Sequence, residues 1–501
     1  MKVLLAGYNV DTDVIKELTK GKSKTTVLTP ETISAAYARI SRSPKSVDEL
    51  RKDSRKEVEK ARKSNKSIIF SMGHHSIAEH AVFNFDIMGV SRLAIEEIEK
   101  FRLCAYTEKS QRYITLTDDY VVPAEIKGTG FEKLFADTIK SQNDLYIKLY
   151  EKLKENIFKK HKDLAGDIKN HALLDGWAKE DARYITSLAT EGQLGQTINA
   201  RNLELLFRRF ASHELSEVRE LGNRIFSLVE KVAPSIILFT TANDFDQKTY
   251  PALQKATSEL AGFYKRSKYS NKASREDVTL VNYSFDADNI TVAAIMHSAS
   301  RLSFDDCMRV ARKMNMDEKR EIIKTSTRYM EFYDSAIREY EYVHLTYELV
   351  ISASCFAQLK RHRMASIICQ KYDPVLGVTI PESIHEIGMI NEFGDVVAKT
   401  EEAYHKIKTR IPQASDYVLT NAHRRRVLLK VNARELYHIS RLREDESAQW
   451  DIRQRSRTMV KLAKKVMPLT CLLIGAKHLY PEIYKNIFGA PPKASTSISS
   501  P

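Results

Sequence analysis

The feature that most constrains this chain is that it is written twice. Ala38-Arg39-Ile40-Ser41 returns as Ser300-Arg301-Leu302-Ser303. Glu79-His80-Ala81-Val82-Phe83-Asn84-Phe85 returns, less closely, as Glu341-Tyr342-Val343-His344-Leu345-Thr346-Tyr347. Lys100-Phe101-Arg102 falls on Arg361-His362-Arg363 at a spacing of 261 residues (361 − 100), and Asn199-Ala200-Arg201 on Asn432-Ala433-Arg434 at 233 (432 − 199). The first copy thus holds 28 more residues between these markers (261 − 233), which the helical stretch 131–160 is expected to supply. Such a repeat implies two tandem domains of one fold. The markers set a first repeat at 1–245, an aperiodic linker at 246–284, a second repeat at 285–488 and a disordered tail at 489–501.

Length and composition bound the rest. A chain of 501 residues has room for two to four domains with ample cores. Its net charge of +14 fits an anionic partner without choosing among nucleic acid, membrane surface and a nucleotide-sized ligand. The five cysteines (Cys104, Cys307, Cys355, Cys369, Cys471) are odd in number and lack CxxC spacing, as in a reduced intracellular protein without structural zinc. No apolar run approaches the ~20 residues of a membrane span. The opening Val3-Leu4-Leu5-Ala6 is too short for a signal and runs into Asp11 and Asp13, so a cytoplasmic protein is expected.

Periodicity gives the coarse elements. Residues 2–7 read as a short buried strand, 31–41 as a helix and 45–64 as a solvated helix. Val82-Phe83-Asn84-Phe85-Asp86-Ile87 alternates as a strand, and Arg92 to Tyr106 is mostly helical. Helices are expected over 131–160 and 199–230, the latter with Leu203, Leu206, Phe207 and Phe210 on one face. The second repeat is periodic from Ile290 to Phe488.

Several groups could carry chemistry. Gln358-Leu359-Lys360-Arg361-His362-Arg363 closes an apolar run; alone such a triplet reads as a solvated basic patch, but within a repeated frame two guanidiniums flanking an imidazole suit phosphate, carboxylate or an anionic ring. In Glu108-Lys109-Ser110-Gln111-Arg112-Tyr113, a carboxylate, a hydroxyl and a guanidinium at alternate positions of an extended loop would point one way and clamp a phosphate and a polar ring edge, or the segment is an exposed turn with a fortuitous arginine. His74, His75, Glu79 and His80 invite a metal, but five residues of helix set His75 and His80 ~140° apart, so core or cofactor-contact roles are expected. Asn432 and Arg443 fall on one helix face about 16 Å apart in rise, where they could address two ends of a long ligand or serve as a cap and a surface arginine. Trp450 and Ile452 read as core. With no GxGxxG, GxxxxGK[ST] or GxSxG, any nucleotide is held by side chains. Arg424-Arg425-Arg426 is the sole local support for RNA and reads as a solvated run, so nucleic acid is not an expected partner.

Together these residues resemble the flavin-dependent thymidylate synthases. That family pairs an RHR motif with a following Glu-x-Ser-x-Arg loop, an upstream AARxS and HxxxxEHxxFxF, and a downstream NxR…R…AQWEIR helix. The resemblance covers both repeats apart from linker, tail and insertion. The first repeat keeps Arg39, Ser41, His74, Glu79, Glu108, Ser110, Arg112, Tyr113 and Arg183, but has Glu97, Lys100, Phe101 and Phe210 where the family has Gln, Arg, His and Arg. The second keeps Gln358, Arg361, His362, Arg363, Asn432, Arg434, Arg443 and Ala448-Gln449-Trp450-Asp451-Ile452-Arg453, but has Cys369, Lys371, Asp373 and Asp416 at the loop and upstream-Arg positions.

The resemblance implies an α+β fold of antiparallel sheet and long helices, present twice and forming an internal pseudo-dimer. It implies conversion of dUMP to dTMP with FAD as cofactor and NADPH and methylenetetrahydrofolate as cosubstrates. Gln358, Arg361, Glu108, Ser110, Arg112, Arg183 and Arg443 would bind dUMP, with Arg443 and Ser110 the catalytic pair. Arg361, His362, Arg363, Asn432, Arg434, His438, Ser76 and Glu108 would hold the flavin; no residue is assigned to a metal. Arg443 would favour the N3-deprotonated uracil, whose ring attacks the methylene carbon without an enzyme nucleophile. Because the losses are complementary, one composite working site and one retired site are expected per chain, in a homodimer of pseudo-tetrameric form. The competing reading is a non-catalytic flavin- or nucleotide-binding protein on the same scaffold. Colourless protein that binds dUMP would favour it.

Overall fold

The computed structural model describes residues 1–21, 28–112, 114, 116, 119–265 and 276–493. They form two compact units, Met1–Asn271 with Ser383–Thr420, and Lys272–Glu382 with Asn421–Pro501.

The first unit holds β1 (Lys2–Tyr8), β2 (Val82–Ser91), β3 (Ala105–Glu108) and β4 (Glu191–Asn199), an antiparallel sheet in the order β1-β2-β4-β3. Alternation places Phe83, Phe85 and Ile87 of β2 in the core and Asn84 and Asp86 outside. Gly89, at φ 68, sits at the bulge where the register with β4 shifts. The expected buried strand at 2–7 is an edge strand with no buried residue: its side chains alternate between exposed and half-buried, and among the described residues no strand pairs with its outer side. The helix expected over 92–106 stops at Ile98 and gives way to β3. The stretch 45–64 is two helices, Val47–Lys56 and Val58–Lys66, broken at Glu57. Helices Ala200–Ala211 and Ser216–Val229 bury Leu203, Leu206, Phe207 and Phe210 as the spacing predicts.

The segment Ser383–Thr420, part of the second repeat by sequence, packs in this first unit. Its helix Ile390–Lys408 lies against Glu132–Lys160. The buried Gln142 amide donates to Thr400 Oγ1 and to the Val418 carbonyl, both at 2.8 Å. The 28 extra residues are therefore not the helix 131–160 as a whole, because the second repeat has its own counterpart. Ten lengthen that helix (29 residues against 19), and most of the others lie in 161–182.

The second unit repeats the plan with β5 (Val278–Tyr283), β6 (His344–Ser352), β7 (Ser366–Cys369) and β8 (Arg424–Asn432) in the order β5-β6-β8-β7. Leu345, Tyr347, Leu349 and Ile351 of β6 face a core shared with helices Ala433–Arg443 and Trp450–Val466. The stretch read as a linker contains helix Asp244–Lys265 and β5. Edge pairing, which needs no strong apolar period, makes the strand. Arg424-Arg425-Arg426 is no solvated run. Arg424 donates to Thr379, Arg426 pairs with Glu348, and buried Arg425 lies 4.9 Å from the Phe356 ring centroid and 4.3 Å from that of Tyr372. The tail is described only to residue 493, so the disorder expected beyond it falls outside the described residues. No helix among those residues is long and apolar enough to cross a membrane.

Candidate functional site

Each unit presents its site residues on the same local device. At the end of its long strand a serine caps a seven-residue helix: Ser91 accepts from Ala94 N and Ser352 from Cys355 N, both at 3.0 Å. Each hydroxyl in turn donates to a buried carboxylate at the start of a later helix. Ser91 reaches Glu217 at 2.6 Å, and Ser352 reaches Asp451 at 2.7 Å. The short helices Arg92–Ile98 and Ala353–Leu359 thus begin at fixed points, and in the second unit the arginine–histidine–arginine turn follows at once. That turn is held by His362 N to Leu359 O and Ala365 N to His362 O, each 3.1 Å.

His362 is 3% exposed, while Arg361 is half-buried and Arg363 exposed. Arg443 Nε donates to His362 Nε2 at 2.9 Å, and His362 Nδ1 faces Glu435 Oε1 at 3.2 Å. Burial holds the imidazole below its usual range against the opposing pull of Glu435, and the Arg443 charge lowers it further. Arg443 also reaches Gln358 Oε1 at 3.5 Å, and Gln358 donates to buried Gln449 at 3.3 Å. His438 is exposed, its ring edge-on to His362 at 5.6 Å. The structure therefore gathers Gln358, His362, His438 and Arg443 around one turn. It places Asn432 and Arg434 at the far end of the helix Ala433–Arg443. There Asn432 caps the helix at 2.7 Å, and Arg434 binds the Ala336 carbonyl and Glu341.

The same positions of the first unit are filled otherwise. Phe101 and Phe210 stand where His362 and Arg443 stand in the second, both buried and edge-to-face at 5.9 Å. Glu97, at the position of Gln358, pairs with Lys100 at 2.5 Å and His213 at 3.2 Å. An apolar contact between Phe101 and Phe210 thus stands where the second unit has the His362–Arg443 hydrogen bond.

The loop of the first unit makes a separate cluster. Glu108 ends β3 and receives Arg92 Nη1 at 2.8 Å, both side chains being buried. Ser110 Oγ accepts from Arg112 N at 3.2 Å. Arg112 pairs with the Glu180 carboxylate, and buried Arg183 Nε donates to the Glu180 carbonyl at 3.3 Å. Burial pushes the Arg183 guanidinium down from its usual range; Glu180 opposes this and the charges of Arg112 and Arg92 add to it. Ser76 is exposed on the turn His75–His80, a different segment, and Tyr113 lies outside the described residues. The second unit has Cys369 half-buried and Lys371 and Asp373 exposed at the loop positions, Asp373 capping the turn Pro374–Leu376.

Among the histidines near 75, His80 packs edge-on to Tyr37 at 4.7 Å, His74 Nε2 lies 3.4 Å from Arg42, and His75 faces Phe70 at 6.0 Å. Glu79 pairs with Arg201. Among the described residues no three His, Cys, Asp or Glu groups are placed to hold one metal ion. Sequence reasoning missed Glu435, Arg92 and Glu180. For two of them a signal existed: Glu180 is three residues before Arg183 in a helical stretch, and Glu435 follows Arg434 on the face that turns inward.

The fold and its sites define a duplicated α+β protein, with a Glu-x-Ser-x-Arg loop in one copy and an Arg-His-Arg turn in the other. The chain belongs to the thymidylate synthase complementing protein family, whose model matches residues 24–235 and again 279–469. A flavin-dependent thymidylate synthase of Clostridium tetani is 32% identical over 216 residues, covering 42% of this chain and 82% of that protein. A UPF0159 protein of Chlamydia muridarum is 23% identical over 418 residues, 81% of this chain and 79% of its own, a match that runs across both repeats. A crystal structure of thymidylate synthase X from Helicobacter pylori with FAD and dUMP is 19% identical. It covers 46% of this chain and 93% of its own, with a TM-score of 0.28, too low to bear on the fold.

Proposed function

We propose that this protein is a flavin-dependent thymidylate synthase that methylates dUMP to dTMP, using methylenetetrahydrofolate and NADPH, with one working set of groups per chain. The observation that carries it is complementary retention. The repeat that keeps Gln358, Arg361, His362 and Arg443 has lost the loop, and the repeat that keeps Glu108, Ser110, Arg112 and Arg183 has filled the other positions with Phe101 and Phe210. Loss at random would leave gaps in both sets.

The donor chemistry fits a flavin. Arg361 and Arg363 flank the turn and His438 lies exposed beside it, an array of N–H donors suited to an electron-rich ring and its phosphates. Asn432, Arg434, Ser76 and Glu108, with buried His362 ordering the turn from beneath, complete the proposed set. Bound FAD would supply the hydride that NADPH delivers. The chain's own part is binding and charge. Arg112 and Arg183 hold the dUMP phosphate, each charge-assisted bond worth ~1.5–3 kcal/mol, with Ser110 donating its hydroxyl to the nucleotide. Arg443, steadied by His362 and Gln358, stabilises the N3-deprotonated uracil, so the ring carbon is nucleophilic without a cysteine. In this reading two chains associate as a homodimer.

Ligand stoichiometry tests the proposal. One FAD and one dUMP per chain are expected, with turnover lost in both Ser110→Ala and Arg443→Ala. Two equivalents of each ligand, or full activity in either variant, would overturn it.

A further inference from the structure

The groups around His362 carry one more inference, which rests on the function proposed above. Arg443 Nε approaches His362 Nε2 at 2.9 Å, and a guanidinium can only donate. Nε2 must therefore offer its lone pair. The neutral ring then carries its proton on Nδ1, the atom that faces Glu435 Oε1 at 3.2 Å. The other tautomer, or an imidazolium, would set N–H against N–H at Arg443. His362 is 3% exposed and Glu435 8%, so water does not readily substitute for either bond.

Glu435 and Arg443 lie eight residues apart on the helix Ala433–Arg443, ~12 Å in rise. The imidazole, reaching in from the turn, spans the gap between their side chains. We propose that Glu435 is a positioning residue: by accepting the His362 Nδ1 proton it fixes the tautomer whose bare Nε2 holds the Arg443 guanidinium in place for the pyrimidine.

The first unit is an internal control. The position of Glu435 is Asn202 there (435 − 233), that of His362 is Phe101 (362 − 261) and that of Arg443 is Phe210 (443 − 233). All three changed together. Asn202 donates to Asn199 Oδ1 at 2.8 Å, within its own helix start. Where the histidine and arginine are gone, no carboxylate is kept to orient them.

The test uses the full chain with 15N-labelled histidine. In ligand-free wild type, His362 should resonate as the neutral Nδ1–H tautomer, and E435Q, whose amide oxygen can accept the same proton, should keep it. E435M should lose it and bind dUMP at least tenfold more weakly by calorimetry, with unchanged flavin content, while E435Q stays within about threefold of wild type. If E435M does not fold, E435D, which withdraws the carboxylate by one methylene, should show the same direction in both readouts. An Nε2–H or charged His362 in wild type, or unaltered dUMP binding in E435M, overturns the positioning role. Failure of wild type to bind dUMP overturns the function and that role with it, and the tautomer signal then reports separately on the hydrogen-bond chain.

Discussion

Positions 210 and 443 are one place in the fold, occupied by a buried phenylalanine in one unit and a half-buried arginine in the other, and alanine should reveal two different losses. Phe210 is 2% exposed and packs on Phe101 at 5.9 Å, and its Cβ sits where a methyl on Gly222 would come within 3.0 Å. Phe210→Ala opens a cavity worth ~3–5 kcal/mol. Arg443→Ala instead strands His362 Nε2, a cost of ~1–3 kcal/mol that water entering the half-exposed site reduces. The chain has two tryptophans, Trp177 in the first unit and Trp450 in the second, so variants keeping one of them report on each unit separately. With a urea slope of ~3 kcal/mol/M, the Trp177 midpoint should fall by about 1–1.7 M in Phe210→Ala. The Trp450 midpoint should fall by under about 1 M in Arg443→Ala. dUMP affinity, measured by calorimetry on folded protein, should reverse the order: a loss of about 10- to 150-fold in Arg443→Ala and less than about twofold in Phe210→Ala. Equal loss of dUMP affinity in both would mean that position 210 serves a working site, and the retired-site reasoning would fail.

Three further outcomes follow from single contacts. Arg112→Ala should weaken dUMP at least tenfold (~1.5 kcal/mol or more) and flatten the salt dependence of binding; affinity unchanged across a salt titration would remove Arg112 from the phosphate site. Gln142→Leu deletes two buried donors at 2.8 Å and strands the Val418 carbonyl, at ~1–3 kcal/mol. Limited proteolysis should then cut first within 383–420, and an unaltered pattern would show that the segment is held elsewhere. Burial alone would raise the Glu97 carboxyl, but His213 and Lys100 outweigh it and hold it at about 2. Its contribution to stability is therefore full above the ordinary value of 4.5 and is lost as pH falls from there towards 2. Glu97→Gln should flatten the acid limb of a Trp177-monitored pH titration over that window; an unchanged limb refutes the assignment.

The duplication, the family and most of the element types were legible in the order of residues. Helices such as 132–160 and 200–211 announce themselves because burial on one face imposes a period near 3.6. β2 does so because a half-buried strand imposes a period of two. β5 was hidden in what reads as a linker, since an edge strand is specified by its neighbour's free N–H and C=O groups more than by its own pattern. Arg424-Arg425-Arg426 misled for a related reason: strand alternation turns Arg425 inward, onto two rings that lie 69 and 53 residues before it (425 − 356, 425 − 372).

By itself the sequence determined that one fold occurs twice and which polar residues each copy has kept. Local periodicity and motif identity survive in the order of residues without reference to distant partners. Only the tertiary structure decided that Glu435 faces His362, that Arg112 and Arg183 share Glu180, and that 383–420 packs with the first unit rather than with the repeat that encodes it. Most of those contacts join residues far apart in the chain, Glu435 with His362 and Arg112 with Glu180 among them. They depend on which surfaces meet when the helices pack, which is settled by burial and complementary shape after each local element has formed.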